Sequence, residues 1–173
     1  KMGYLSHQAD TCGLHVHVNR TTFGNTENEQ EAAIARVLYF FEKFWEELLK
    51  FSRRTQRQLD HWAARYGYKE KPKDILDHAK GHNSAGRYTA VNLTNRDTVE
   101  FRMFRGTLKY NTLIATLELL DNICEMAVYL TDKDVQGLSW TSFVVGCTQP
   151  ELVQYLKERR LYVNDAVASE EDV

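Results

Sequence analysis

The 173-residue chain is poor in cysteine, with only Cys12, Cys124 and Cys147. They are far apart and odd in number, so they supply neither a disulfide framework nor a Cys-x-x-Cys zinc site, and this usage fits a reducing compartment. Basic charge is not in excess. The net charge is −2 and the pI about 6.3, which leaves no general positive field for a nucleic acid. No apolar run approaches the ~18 residues that suggest a membrane span, and the N-terminus lacks the apolar core of a secretory signal. Internal repeats and low-complexity tracts are absent from the sequence. The 43% hydrophobic and 27% charged content is what one core of ordinary size needs. The expectation is a cytoplasmic domain with neither nucleic acid nor membrane as partner. Because the chain opens at Lys1 and meets its first motif within a dozen residues, it reads as a piece of a longer protein.

Hydrophobic periodicity divides the chain into elements. Residues 12–19 alternate as a strand, and 20–28 are turn-rich. Thr26 and Glu29 have capping-box spacing. From Glu29 to Phe51 a stripe of Ile34, Leu38, Phe41, Trp45 and Leu48 recurs in steps of three or four, which predicts one helix. A second helix is expected over 53–66 with Gly67 as its stop, then a lysine-rich loop with a short helix at 73–79. Arg87 to Leu93 and Thr98 to Phe104 read as the strands of a hairpin turning at Thr94 to Asp97. Asn111 is placed to cap a helix running to Leu130, and Thr148 with Glu151 frames a capping box for a helix reaching about Arg160. Residues 1–165 are taken as one domain and the acidic 166–173 as a disordered tail. Strands and helices do not alternate, so the expected fold is α+β, an antiparallel sheet with helices packed on one face.

Two short runs carry the chemistry. Residues Cys12 to Val18 read Cys-Gly-Leu-His-Val-His-Val, and Thr98 to Arg102 read Thr-Val-Glu-Phe-Arg. Side chains two apart in a strand share a face. His15 and His17 therefore stand together, opposite Leu14, Val16 and Val18. Glu100 and Arg102 stand together, opposite Val99, Phe101 and Met103. Alone, the imidazoles fit a hydrogen-bonded half-buried pair as well as a metal site, and Glu100 with Arg102 fits an intrastrand ion pair. Taken together, an imidazole and a carboxylate suit Mg²⁺ or Mn²⁺ bridging phosphates, and an adjacent guanidinium suits a phosphoryl group.

These runs resemble conserved segments of known enzymes. The Gly-Leu-His15-Val-His17-Val run is similar to the Gly-Met-His-x-His segment of glutamine synthetases. Arg87-Tyr-Thr-Ala-Val-Asn92-Leu followed by Thr98-Val-Glu100-Phe-Arg102 resembles the later Arg and Glu-x-Arg segments of that superfamily. With Gly106-Thr107-Leu108 the set most resembles the amidoligase family of carboxylate–amine ligases, over roughly residues 12–130. The resemblance implies the C-terminal portion of a glutamine synthetase-like catalytic fold. It implies ATP-dependent conversion of a carboxylate to an acyl phosphate, and attack by an amine to give an amide or isopeptide bond. The implied cofactors are ATP with Mg²⁺ or Mn²⁺, and the implied partners are carboxylate and amine substrates. His15 and Glu100 inherit metal binding, His17 a nucleotide contact, Arg102 a phosphate contact, and Arg87 a phosphate or substrate contact.

The chain departs from the pattern at two places. Thr98 stands where glutamine synthetases carry an Arg, and no Glu-x-Glu strand precedes Cys12. Glu27, Glu29 and Glu31 have that spacing but open a helix, where stabilising its N-terminal dipole is the expected role. The chain is thus expected to be catalytically incomplete by itself. A non-catalytic interaction module on a ligase-derived scaffold, or a metal-dependent hydrolase using His15 and His17, are the other readings. Arg53 and Arg54 stand where amidoligases often carry an Arg, or on a solvated helix face, and Arg105 extends the basic face near Arg102. His61, His78 and His82 are expected at the surface, with the Asn83 to Gly86 segment as a flexible site mouth.

Overall fold

The computed structural model describes residues 13–81 and 86–162. His82, residues 83–85, Cys12 and the acidic tail, on which some expectations fall, lie outside the described residues. Among these, three strands and eight α-helices follow in order: β1 (Gly13–Asn19), α1 (Glu27–Lys43), α2 (Trp45–Ser52), α3 (Gln56–Trp62), α4 (Pro72–Gly81), β2 (Val91–Asn92), β3 (Thr98–Arg105), α5 (Tyr110–Tyr129), α6 (Asp132–Gly137), α7 (Trp140–Gly146) and α8 (Pro150–Glu158). The sheet is antiparallel with β3 in the middle, β1 on one side and β2 on the other. The fold is α+β, as the order of elements predicts.

The apolar face of β3 carries the core. Val99, Phe101, Met103 and Phe104 are buried, with Phe101 against Phe41 of α1 at 5.6 Å and Phe104 against Phe51 of α2 at 6.0 Å between ring centroids. Phe23, Phe40, Leu38, Leu48, Leu59 and Ile123 fill out the same cluster. Burying such side chains contributes about 1.5–3 kcal/mol each, so helices on this face anchor the strand whose other face holds the polar residues.

Several local expectations yield to tertiary structure. The predicted long helix over 29–51 bends at Phe44 (φ −108°, ψ 34°) into α1 and α2. The bend lets α1 pack on α4, α5 and α6 while α2 turns toward β3, and Phe44 is held edge-on by Phe40 and Trp140. The expected helix over 53–66 is only α3. Its chain leaves the helix because Ala64 bridges Thr89, and buried Glu42 takes the Tyr66 amide at 2.7 Å and the Arg65 guanidinium at 2.8 Å. That bridge also shortens the predicted 87–93 strand to β2. Asn111 is not a cap: α5 begins at Tyr110 with Lys109 as its N-cap. The capping box of Thr148 and Glu151 does not form either. Gln149 precedes Pro150, and Glu118 of α5 accepts the Leu152 amide at 2.9 Å instead. Helices α6 and α7 were not expected; Thr131 with Asp134 and Ser139 with Ser142 cap them. The Thr26–Glu29 box forms as predicted, so Glu29 serves the helix start, and Glu31 pairs with Lys80.

Candidate active site

β1 and β3 bring their polar residues to one point. In the register His17 faces Glu100, Val16 faces Phe101, and Leu14 faces Phe104. Between these pairs His15 stands alone opposite two residues, Arg102 and Met103, so β3 carries a bulge. The bulge changes the alternation. Phe104, which strict alternation would put beside Glu100, joins Phe101 in the core. Arg105 instead faces Gly13 on the polar side, with His15, His17 and Glu100.

Glu100 is the hub. Its Oε1 lies 2.8 Å from Arg102 Nη1, 3.2 Å from His15 Nδ1 and 3.7 Å from His17 Nε2. Its Oε2 accepts from Asn92 Nδ2 at 2.7 Å and from Asn95 Nδ2 at 3.4 Å. Asn92 is itself fixed, since its Oδ1 accepts the Thr94 amide at 3.0 Å, an Asx turn that opens the hairpin. Glu100 and Arg102 are buried, 6% and 8% exposed. Burial alone would push the Glu100 carboxyl up, but the bond from Asn92 and the Arg102 guanidinium outweigh it and hold it below its ordinary value. Glu100 is therefore an ionised, hydrogen-bonded carboxylate.

The two histidines are more open. His17 Nδ1 meets the Thr98 hydroxyl at 3.0 Å, so the residue that departs from the glutamine synthetase pattern holds the imidazole whose Nε2 points at Glu100. Burial, then the Arg102 charge, lowers the His15 pKa below 6.5 against the opposing pull of Glu100. His15 is thus neutral at pH 7, the form that ligates metal or accepts a hydrogen bond.

Further guanidiniums stand around this centre. Arg54 is half-buried at the end of α2, and Arg102 and Arg105 depress its pKa after burial does. A Cβ added to Gly13 would come 2.6 Å from Arg54 Nη2 and 3.1 Å from His15 Nε2. Gly13 thus lets the Arg54 guanidinium lie against β1 beside His15. Arg102 Nε is buried and without a hydrogen-bond partner among the described residues. Arg87 is exposed and joins the centre through Tyr88: the Arg87 and Arg102 guanidiniums lie 5.4 Å and 5.6 Å from that ring's centroid. Trp62 packs edge-on against Tyr88 at 5.8 Å.

A family model described as "putative amidoligase enzyme" matches residues 3–124. The chain belongs to the amidoligase family. No curated protein and no solved structure matches it significantly. All five amidoligase residues singled out from sequence lie in or beside one cluster, with His15, His17, Glu100 and Arg102 in direct contact and Arg87 one ring away. Arg54, which sequence left open, proves to be part of it, and so does Arg105. Asn92, Tyr88 and Gly13 were passed over as site residues. Asn92 and Gly13 had a signal, since both lie inside the matching runs; Tyr88 had none beyond standing next to Arg87.

A divalent cation needs several hard donors at one point. His15 Nδ1 and Glu100 Oε1 offer a nitrogen and a carboxylate oxygen at one point. Among the described residues no group of three or more His, Cys, Asp or Glu is arranged to hold a metal ion. The residues fit a partial shell, of the kind that a phosphate-bridging Mg²⁺ completes with phosphate and water oxygens. Among the described residues no helix is long and apolar enough to cross a membrane.

Proposed function

We propose that this amidoligase couples ATP cleavage to carboxylate–amine ligation, and that the described cluster is the phosphate end of its site on a glutamine synthetase-like scaffold. The γ-phosphoryl of ATP passes to a carboxylate oxygen of one substrate and ADP leaves, giving an acyl phosphate. The amine nitrogen of the second substrate then attacks the carbonyl carbon, phosphate leaves, and the nitrogen loses a proton to give the amide. Mg²⁺ or Mn²⁺, held by His15 and Glu100, would neutralise phosphate charge. The chain's own residues position and stabilise. Arg102, Arg54 and Arg105 supply cationic charge where the transferring group is anionic, which is most of what phosphoryl transfer asks of a protein. Asn92 holds Glu100 in the ionised form, His17 would contact the nucleotide, and Arg87 would approach from the rim.

The observation that carries this reading is the convergence of His15, His17 and Arg102 on one buried carboxylate, Glu100, with the buried Arg102 Nε without a hydrogen-bond partner among the described residues. The test is calorimetry of Mg²⁺–ATP against the wild type, Glu100→Ala and Gly13→Ala. Glu100→Ala is expected to abolish metal-dependent binding. Gly13→Ala should leave the fold intact, because its clash is with the mobile end of Arg54, yet weaken binding roughly tenfold, the worth of about one charge-assisted hydrogen bond. Wild-type-like binding by both variants sinks the proposal. Hydrolytic activity without ATP would favour the hydrolase instead.

A further inference from the structure

A second feature lies just beyond the cluster. A groove of about 720 Å³ runs between the first turn of α5 and the length of α8, lined by Arg53, Lys109, Asn111, Glu151, Gln154 and Glu158 among others. That volume is in the range of sites for small ligands. A narrow cleft, with room for about one water, shares Arg53, Thr112 and Tyr155 with the groove and reaches Arg105 at the end of β3. Arg105 faces Gly13 in the register, beside His15. The groove is therefore linked to the phosphate cluster through Arg53 and Arg105.

Arg53 stands out on backbone grounds. It ends α2 in the left-handed region at φ 59°, where a side chain costs roughly 1–2 kcal/mol and glycine is the usual occupant. Arg160 has the same geometry at φ 54°, but of the two only Arg53 lines the groove, where its side chain donates to the Tyr155 hydroxyl. The next residue, Arg54, lies against Gly13, and the two arginines share a further surface depression beside Lys50, so consecutive guanidiniums run from the groove to the cluster. The groove's lining also carries both signs. Arg53 and Lys109 stand against Glu151 and Glu158, and Arg159 donates to the Lys50 carbonyl at 2.7 Å. A polyanion would be repelled by two carboxylates. A small molecule with free carboxylate and ammonium groups meets complementary charge.

We infer that this groove binds the carboxylate-bearing substrate, a zwitterionic amino acid or short peptide with an acidic side chain, and that Arg53 anchors its carboxylate. The assignment rests on the ligase reading: Arg105 stands at the far end of the one-water cleft, on the side from which the phosphoryl group would come. Calorimetry of the full chain with the tripeptide Ala-Glu-Ala, both ends free, tests it alongside separate titrations with Mg²⁺–ATP. Arg53→Gly should lower peptide affinity at least tenfold and leave Mg²⁺–ATP binding within twofold, with a backbone that glycine suits at φ 59°. Gly13→Ala should do the reverse, weakening Mg²⁺–ATP and sparing the peptide. No peptide binding by the wild type, or equal binding by Arg53→Gly, overturns the groove assignment. Arg53-dependent peptide binding without any Mg²⁺–ATP binding supports the groove and removes the ligase reading.

Discussion

The two faces of β3 are almost equally dry and chemically opposite. On one, Phe101 and Met103 are 0% exposed among aromatic rings; on the other, Glu100 and Arg102 are 6% and 8% exposed among cations and amides. The apolar face gains stability from being buried. The polar face has to be given partners for burial to be tolerated at all, and the partners come from β1, β2, Asn95 and Tyr88. The difference teaches that burial alone does not mark a core. A strand with a charged pair sealed on one side holds preorganised chemistry there and uses its other side to stay in place.

The sharpest way to break this comparison is to truncate both faces. Phe101→Ala should cost about 3–5 kcal/mol by urea unfolding, without a rescuing second substitution at Glu100. Glu100→Ala should cost about 3 kcal/mol by stranding Arg102, and adding Arg102→Met should recover most of it. If the double variant is no more stable than Glu100→Ala, the polar face is not held by that pair. A smaller effect should come from Asn92→Ala, about 1–3 kcal/mol at neutral pH from the unsatisfied carboxylate. Glu100 has a folded pKa below its ordinary 4.5, so its contribution is present above that value and lost as pH falls through the folded pKa. The stability gap between wild type and Asn92→Ala should therefore close in acid; a gap that is independent of pH would remove Asn92 from the control of Glu100. The smallest effect is at His15. Its imidazole should titrate by NMR below 6.5, and Arg102→Met should move the midpoint upward. Because the folded state resists this proton, His15 lowers stability as pH drops below 6.5, and an unchanged midpoint in Arg102→Met would remove Arg102 from the control of His15.

Much of the site was legible because strand alternation is a local rule. His15 with His17, and Glu100 with Arg102, sort to one face by counting in twos, and the hairpin turn at 94–97 follows from its residues. Phe104 and Arg105 were not assignable by the same count, since the bulge in β3 depends on how β1 pairs with it. Arg54 could not be told from Arg53, because only the packing of the chain after α2 against β1 puts the Arg54 guanidinium beside Gly13, and nothing in the residue type signals it. The break at Phe44 and the early end of α3 were hidden for a related reason. Periodicity reports which residues want burial, while Glu42, Ala64 and Trp140 decide where the chain must turn to achieve it.

The sequence by itself determined the α+β class, the family, and the two polar strand faces, because each rests on residue order and a period of two. Only the tertiary structure decided that these faces meet at Glu100, that Arg54 and Arg105 complete the cationic surround, and that a groove opens beside Arg53. Convergence of charged groups depends on strand register and on contacts between residues tens of positions apart, and no local pattern in the chain encodes the distance between them.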